Sequence, residues 1–424
     1  VVEGYKNKII KLYRDHVSSG KVEFYTAIGF DLIIGRRHGP WIYDLDGRKK
    51  LLNCHCNGGV YNLGHLHPEI KKALLDALEE GIDIGNHHLI SENRALLAEK
   101  LVELTPKEIT RVTYGVGGGE AVDYAIKLAR GYTGRYKIIY AKGGYHGHTG
   151  LALAAGDDQY KRPFEPLAPG FISVPFGDLD SLSNAIDNDT AAVIFETIPA
   201  TLGMPMPPKN FYKGVRDLCD DKGSLLILDE IQTGLGRTGK LWCFEHYGIV
   251  PDIFVVGKGL SGGLYPITAT LYKEELDQFM RRHPFIHVST FGGAEIGCRV
   301  ALKVLEISSD PSFLNHVNQI SYRLRRILDE VMTNYNDILT EIRQIGLFIG
   351  LKMMDEGYGP LLAISSYNHG ILAVYANNDR SVLQFLPPLI IGDEELIYIR
   401  ERLMAAYNWA KEHKEYLELI KMML

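Results

Sequence analysis

Residues 225–267 read LLILDEIQTGLGRTGKLWCFEHYGIVPDIFVVGKGLSGGLYPI. Two uninterrupted apolar runs stand out. Leu225–Leu228 leads into Asp229 and Glu230, and Ile253–Val256 leads into Gly257 and Lys258. Short runs without polar alternation predict strands covered on both faces, as in a parallel sheet under helices. The neighbouring sequence repeats the pattern. RVTYGV (111–116), KIIYAK (137–142), AAVIFE (191–196) and ITATLY (267–272) read as strands. EAVDYAIKLARGY (120–132) and KNFYKGVRDLCDDKG (209–223) read as helices between them. Strands alternating with helices predict an α/β fold with a parallel or mostly parallel sheet. Such sheets bind ligands beyond the carboxyl ends of their strands.

The flanks differ. Residues 30–53 read as short strands and turns, with Asp46-Gly47 as a hairpin signal. Pro68 opens a helix through IKKALLDAL, and Ser91 fits the cap of a helix through residue 104. After SSDPS (308–312) a long helix is expected over 313–335, then strands in 345–354 and 370–376, and a last helix over 394–413.

Composition narrows the function classes. There are 46 basic and 52 acidic residues, a net charge of −6, which argues against a general nucleic-acid binder. No apolar run reaches the ~20 residues of a membrane helix. The amphipathic, charged start is not signal-like, so a cytoplasmic location is expected. Five scattered cysteines do not make a disulfide framework. Cys54-His55-Cys56 lacks the spacing of a metal site, and no metal is expected.

Three inferred strand ends carry chemistry to one rim. RVTYGV delivers Gly117-Gly118-Gly119 at a helix start, where bare backbone N–H groups favour a phosphate. SLLILDE delivers Asp229, and DIFVVGK delivers Lys258 among apolar residues and glycines, where a lysine is desolvated or paired.

That combination resembles the class III pyridoxal-phosphate-dependent aminotransferases, with likeness to the ornithine aminotransferase and glutamate-1-semialdehyde aminomutase branches. Residues 225–267 look like the segment around the family's lysine, and 117–150 like its phosphate loop. STFGGAEIGCRVALKVLE (289–306), LPPLIIGDEEL (386–396), GPWIYDLDGRKKLLNC (39–54) and GVYNLGHLHPEIKKAL (59–74) match in order. The resemblance implies fold type I: a large domain with a mainly parallel, seven-stranded-type sheet and a small α+β domain drawn from both termini. Residues 1–53 then join the small domain, 54–307 form the large one and 308–424 complete the small one. A homodimer with the cofactor site at its interface is implied.

Roles follow from the resemblance. Lys258 is expected to hold pyridoxal 5'-phosphate covalently and to shuttle the proton, and Asp229 to pair with the pyridine nitrogen. Gln232 is expected at the phenolic oxygen, Tyr145 over the ring face, and Glu196 near the cofactor. Gly118 and Gly119 are expected to give N–H groups to the phosphate, with Thr290 reaching it from the other subunit. His146 and His148 receive no role.

Two departures stand out. The phosphate loop usually reads Asn-Ser-Gly; here it is Val116-Gly117-Gly118-Gly119, so a hydroxyl is lost and the backbone donors stay. Many members place an α-carboxylate-binding arginine where this chain has Gln384, and some branches pair it with a glutamate where this chain has Thr201. Both charges are absent together, as burial of either alone would require. The reading is an aminotransferase moving an amino group from an amine or ω-amino donor to a keto acid or aldehyde, with ping-pong kinetics. The alternative is an aminomutase, racemase or epimerase, lyase or decarboxylase on the same fold. Arg36 or Arg37 is the expected substitute if a guanidinium does enter the pocket.

Overall fold

The apolar runs pair side by side in the computed structural model, which describes residues 2–423. Seven strands lie in the order Ile109–Gly115, Thr268–Lys273, Ile253–Val256, Leu225–Asp229, Thr190–Glu196, Lys137–Ala141 and Phe171–Val174. Neighbours are parallel except at Thr268–Lys273, which runs antiparallel to both strands beside it. The central strands are buried along their whole length, which is why their sequences lack alternation. Helices cover both faces. Gly118–Thr133 packs one side with Val122, Ile126 and Leu128. Phe211–Lys222 packs the other with Phe211, Val215 and Cys219.

Two four-stranded sheets stand apart from the large one. Ile34–His38, Trp41–Asp44 and Lys50–Asn53 form an antiparallel meander, which Ile371–Leu372 extends in parallel. Leu339–Ile345, Phe348–Met353, Asp379–Phe385 and Val374–Ala376 make the other sheet, in that order. Leu52 and Cys54 belong to the same core as the helices Pro311–Asn334 and Asp393–Glu412. The two ends of the chain thus share a core.

The helix signals act as expected. Ser91 Oγ accepts from Arg94 N at 3.3 Å, and Pro68 is the first residue of Pro68–Glu79. At SSDPS, Glu295–Ser308 stops and the Asp310 carboxylate caps Pro311–Asn334 by accepting from Ser312 N and Phe313 N. All five cysteines are free and buried. No helix among the described residues is long and apolar enough to cross a membrane.

Candidate active site

The carboxyl ends of four adjacent strands meet around Lys258. Its strand ends at Val256, Gly257 is extended, and Lys258 opens a short 3-10 turn with φ +41°. A lysine in the left-handed region carries strain of about 1–3 kcal/mol, held by its surroundings. Ser261 Oγ donates to Lys258 O at 2.6 Å and fixes the turn. On the other side lies Gly58, with φ +69°. A Cβ at Gly58 would stand 2.8 Å from Lys258 Cε, so a side chain there would be strained by its φ and would push the lysine's end aside. Burial lowers the Lys258 pKa below its ordinary value, while the charges of Asp229 and Glu196 act in the opposite direction.

Asp229 ends the central strand, 5% exposed. Its Oδ1 accepts from Ile231 N at 3.0 Å, and its Oδ2 lies 2.8 Å from His146 Nδ1. His146 is 2% exposed and its Nε2 has no partner. Burial works against the protonated ring, but the Asp229 hydrogen bond and charge, with Glu196 behind, outweigh it and raise its pKa. Sequence reasoning gave His146 no role. One position after Tyr145 in a glycine-rich loop, it looked like any loop histidine, and its pairing with a residue 83 positions away left no local signal.

Glu196 ends the adjacent strand. Its Oε1 accepts from Tyr145 N at 2.8 Å and its Oε2 from Ala200 N at 3.3 Å, so it holds the Tyr145 loop in place. Burial pushes its pKa up to about 7, with His146 opposing and Asp229 adding to the shift. Glu230 faces away and accepts from Thr197, Cys243 N and Phe244 N, as a buried structural acid.

A cavity of about 180 Å³ is lined by Gly118, Gly119, Tyr145, His146, Glu196, Asp229, Gln232 and Lys258, among others. At its glycine end the helix Gly118–Thr133 begins, and its first internal bond comes from Ala121 N. The N–H groups of Gly118 and Gly119 are therefore unused by the helix and favour an anion. A Cβ on Gly119 would lie 2.6 Å from Thr149 Oγ1, so the loop is packed to present backbone only. Glu120 accepts from Val116 N at 2.7 Å and braces the loop where the usual hydroxyl is missing. The buried Thr233 hydroxyl, also in the lining, has no partner. Bare N–H groups at a helix start, a carboxylate, a lysine and the unpartnered His146 Nε2 and Thr233 hydroxyl, all lining one cavity, fit pyridoxal phosphate.

A second cavity of about 710 Å³ shares Tyr145, Gln232 and Lys258 with the first. Thr201 and Gln384 line it, as do His55 and Asn57, which sequence reasoning left without a role. Burial first, and then the charge of Lys258, depress the His55 pKa to about 4, so its ring is neutral in use. Arg36 and Arg37 line neither cavity, and the Arg36 guanidinium sits 4.5 Å from the Tyr43 ring centre. Thr290 is exposed and lines neither cavity of its own chain. No cluster able to hold a metal occurs among the described residues.

Gly58→Ala tests the packing of the lysine. The added methyl strains a left-handed residue by about 1 kcal/mol and displaces Cε. Turnover is expected to fall about a hundredfold, as for misplaced reacting groups generally. Steady-state kinetics and thermal unfolding check it; normal turnover with an unchanged melting temperature contradicts the packing.

The family model for class III aminotransferases matches residues 26–407. An uncharacterized aminotransferase of Archaeoglobus fulgidus is 64% identical over 419 residues, covering 99% of this chain and 98% of that protein. The acetylornithine aminotransferase of Methanopyrus kandleri is 35% identical, over 90% of this chain and 95% of that one. The solved ornithine aminotransferase of Toxoplasma gondii superposes with a TM-score of 0.85 at 26% identity, covering 96% of this chain and 99% of that one. Sheet order, the lysine at its rim and these likenesses agree: the chain belongs to the class III aminotransferase family, and it is an aminotransferase.

Proposed function

We propose that this enzyme takes its amino group from a primary amine lacking an α-carboxylate and gives it to a keto acid or aldehyde in two half-reactions. The observation that carries this reading is the lining of the larger cavity, where Lys258 is the one charged side chain among the described residues and Gln384 and Thr201 stand at the ion-pair positions. A glutamine hydrogen-bonds a neutral group or one carboxylate oxygen weakly, whereas arginine grips a carboxylate through two bonds.

The cofactor is pyridoxal 5'-phosphate, which supplies an aldehyde for the donor's nitrogen and a protonated ring that draws electrons from the carbon losing its proton. Lys258 Nζ anchors the cofactor and then, as a free amine of lowered pKa, takes and returns that proton. Asp229 would pair with the ring nitrogen, and His146 orients that carboxylate through the 2.8 Å contact with its Oδ2. Gly118 and Gly119 would give N–H groups to the phosphate. Tyr145 would cover the ring and Gln232 would meet its phenolic oxygen, while Glu196 positions the Tyr145 loop.

Thr290 completes the phosphate site from a second copy, in a homodimer. Exposed Leu89, Ile90, Phe285, Ile286, Val288 and Phe291 support this, because so much apolar surface near Thr290 needs a cover. The chain divides into a small unit of 1–53 with 308–424 and a large unit of 54–307, in keeping with the core shared by its ends. Five reduced cysteines favour the cytoplasm.

Donor half-reactions test the proposal. Propylamine and other amines that are neutral apart from the reacting nitrogen are expected to react at least tenfold more efficiently than glutamate, the ratio that one lost charged hydrogen bond of ~1.5 kcal/mol gives. Glutamate reacting as well as the best amine would overturn it.

A further inference from the structure

The larger cavity is far bigger than a small amine needs, and most of its wall is apolar. Phe24 and Tyr25 come from helix Ser19–Ala27, Leu361 and Ile364 from helix Tyr358–Asn368, and Trp409 and Leu419 from the last two helices. Polar lining residues gather near the lysine: His55 and Asn57 lie just before Gly58, Gln232 follows Asp229, and Thr201 Oγ1 is held to Gly143 O at 3.4 Å, with Gln384 and Asn377 entering from strand Asp379–Phe385 and the turn before it. The cavity therefore has a polar end at Lys258 and an apolar end between helix Ser19–Ala27 and the last helices of the chain. Arg380, beside Tyr375, is outside the lining.

The rim adds a second observation. Phe24, Tyr25, Tyr416 and Leu419 are 41%, 44%, 42% and 53% exposed, although all four line the cavity. Apolar side chains gathered at the mouth of a reactive cavity gain from an apolar ligand that covers them.

We propose that the amino donor is a primary amine on a long apolar body, an alkyl or arylalkyl chain, with its nitrogen at Lys258 and its body along Phe24, Ile364, Trp409 and Leu419. This rests on the neutral-amine reading above. The exchange balances without an outside oxidant. The amine's NH2 group and one hydrogen pass to the keto acid; water supplies the oxygen of the donor's aldehyde in the first half-reaction, and the keto acid's oxygen leaves as water in the second. The amine becomes an aldehyde and the keto acid an amino acid.

Two measurements on the holoenzyme test the proposal. The first is kcat/KM for straight-chain amines from propylamine to dodecylamine with pyruvate as acceptor. A rise of about two- to fourfold per methylene is expected until the cavity is full. The second reads binding without turnover, by quenching of tryptophan fluorescence with bromoundecanol against bromopropanol, neither of which has an amino group. Of the three tryptophans, Trp409 alone lines this cavity. Bromoundecanol is expected to quench, bromopropanol not, and Trp409→Phe to abolish the effect. Leu419→Glu, at an exposed position, is expected to weaken both the quenching and the chain-length gradient tenfold or more. A flat or falling series overturns the proposal, as does a rising series without Trp409 quenching. Quenching by neither alcohol assigns the rim to a second copy and also overturns it. If no amine of any length is consumed while bromoundecanol still quenches Trp409, the neutral-amine reading fails and the apolar ligand class of the cavity stands.

Discussion

Lys258→Ala is expected to lower turnover about ten-thousandfold, the upper range for loss of a positioned acid–base group. No other lysine lines either cavity, so nothing nearby takes over the anchoring or the proton. The site is built around this amine. Gly58 leaves room for its Cε, the Ser261 hydroxyl fixes its turn, and burial keeps its pKa below the ordinary lysine value. Borohydride reduction of the wild-type holoenzyme, followed by peptide mapping, should place the cofactor label on Lys258. A label on another lysine, or near-normal turnover of the variant, contradicts the assignment.

Asp229→Asn is expected to cost a hundredfold or more in turnover while the cofactor stays bound. Removing one partner of a buried charged pair costs about 3 kcal/mol or more, and 1.4 kcal/mol is a factor of ten. Here the loss falls on the ring nitrogen and on His146 together, since Asp229 Oδ2 holds His146 Nδ1 at 2.8 Å. The sign of the accompanying pKa change is fixed. The Asp229 charge raises the pKa of Lys258 against burial, so its removal lowers that pKa further. The lysine of the variant is then neutral over a wider pH range and still takes the cofactor. In the cofactor-free proteins, where the Lys258 amine is free, the pH profile of its labelling by an amine-reactive reagent should move to lower pH in the variant. A move to higher pH, or near-normal turnover, would show that Asp229 does not face the reacting groups.

What was legible in the sequence follows from which residues are buried on which side. Leu225–Asp229 and Ile253–Val256 are covered on both faces, so their apolar runs announced strands directly. The edge strand Phe171–Val174 did not, because two of its four residues are exposed and no run forms. Helix Tyr358–Asn368 failed to show for the opposite reason. It is buried nearly all round, so its sequence has no polar face to set a helical period. The direction of Thr268–Lys273 is set by its pairing with Ile109–Gly115 and Ile253–Val256, which composition does not encode.

The site divides in the same way. Lys258, Asp229 and the glycine loop sit at strand ends, where the fold class itself points to ligands, and the structure brings them together with Tyr145, Glu196 and Gln232. Thr201 and Gln384 meet in the second cavity. His146, His55 and the apolar wall from Phe24 to Leu419 come from distant segments, and only the folded chain brings them together. Thr290 remains outside both cavities of its own chain.

The most direct test follows the nitrogen. The holoenzyme is mixed with a primary alkylamine carrying isotopically labelled nitrogen, first without an acceptor and then with a keto acid. The expected result is one equivalent of aldehyde released per subunit in the first stage, with the label retained by the protein. On addition of the keto acid the label should appear in the amino acid formed. Release of labelled ammonia, or recovery of the label in a rearranged amine, would mean that the amino group is not transferred, contradicting the assignment at its centre.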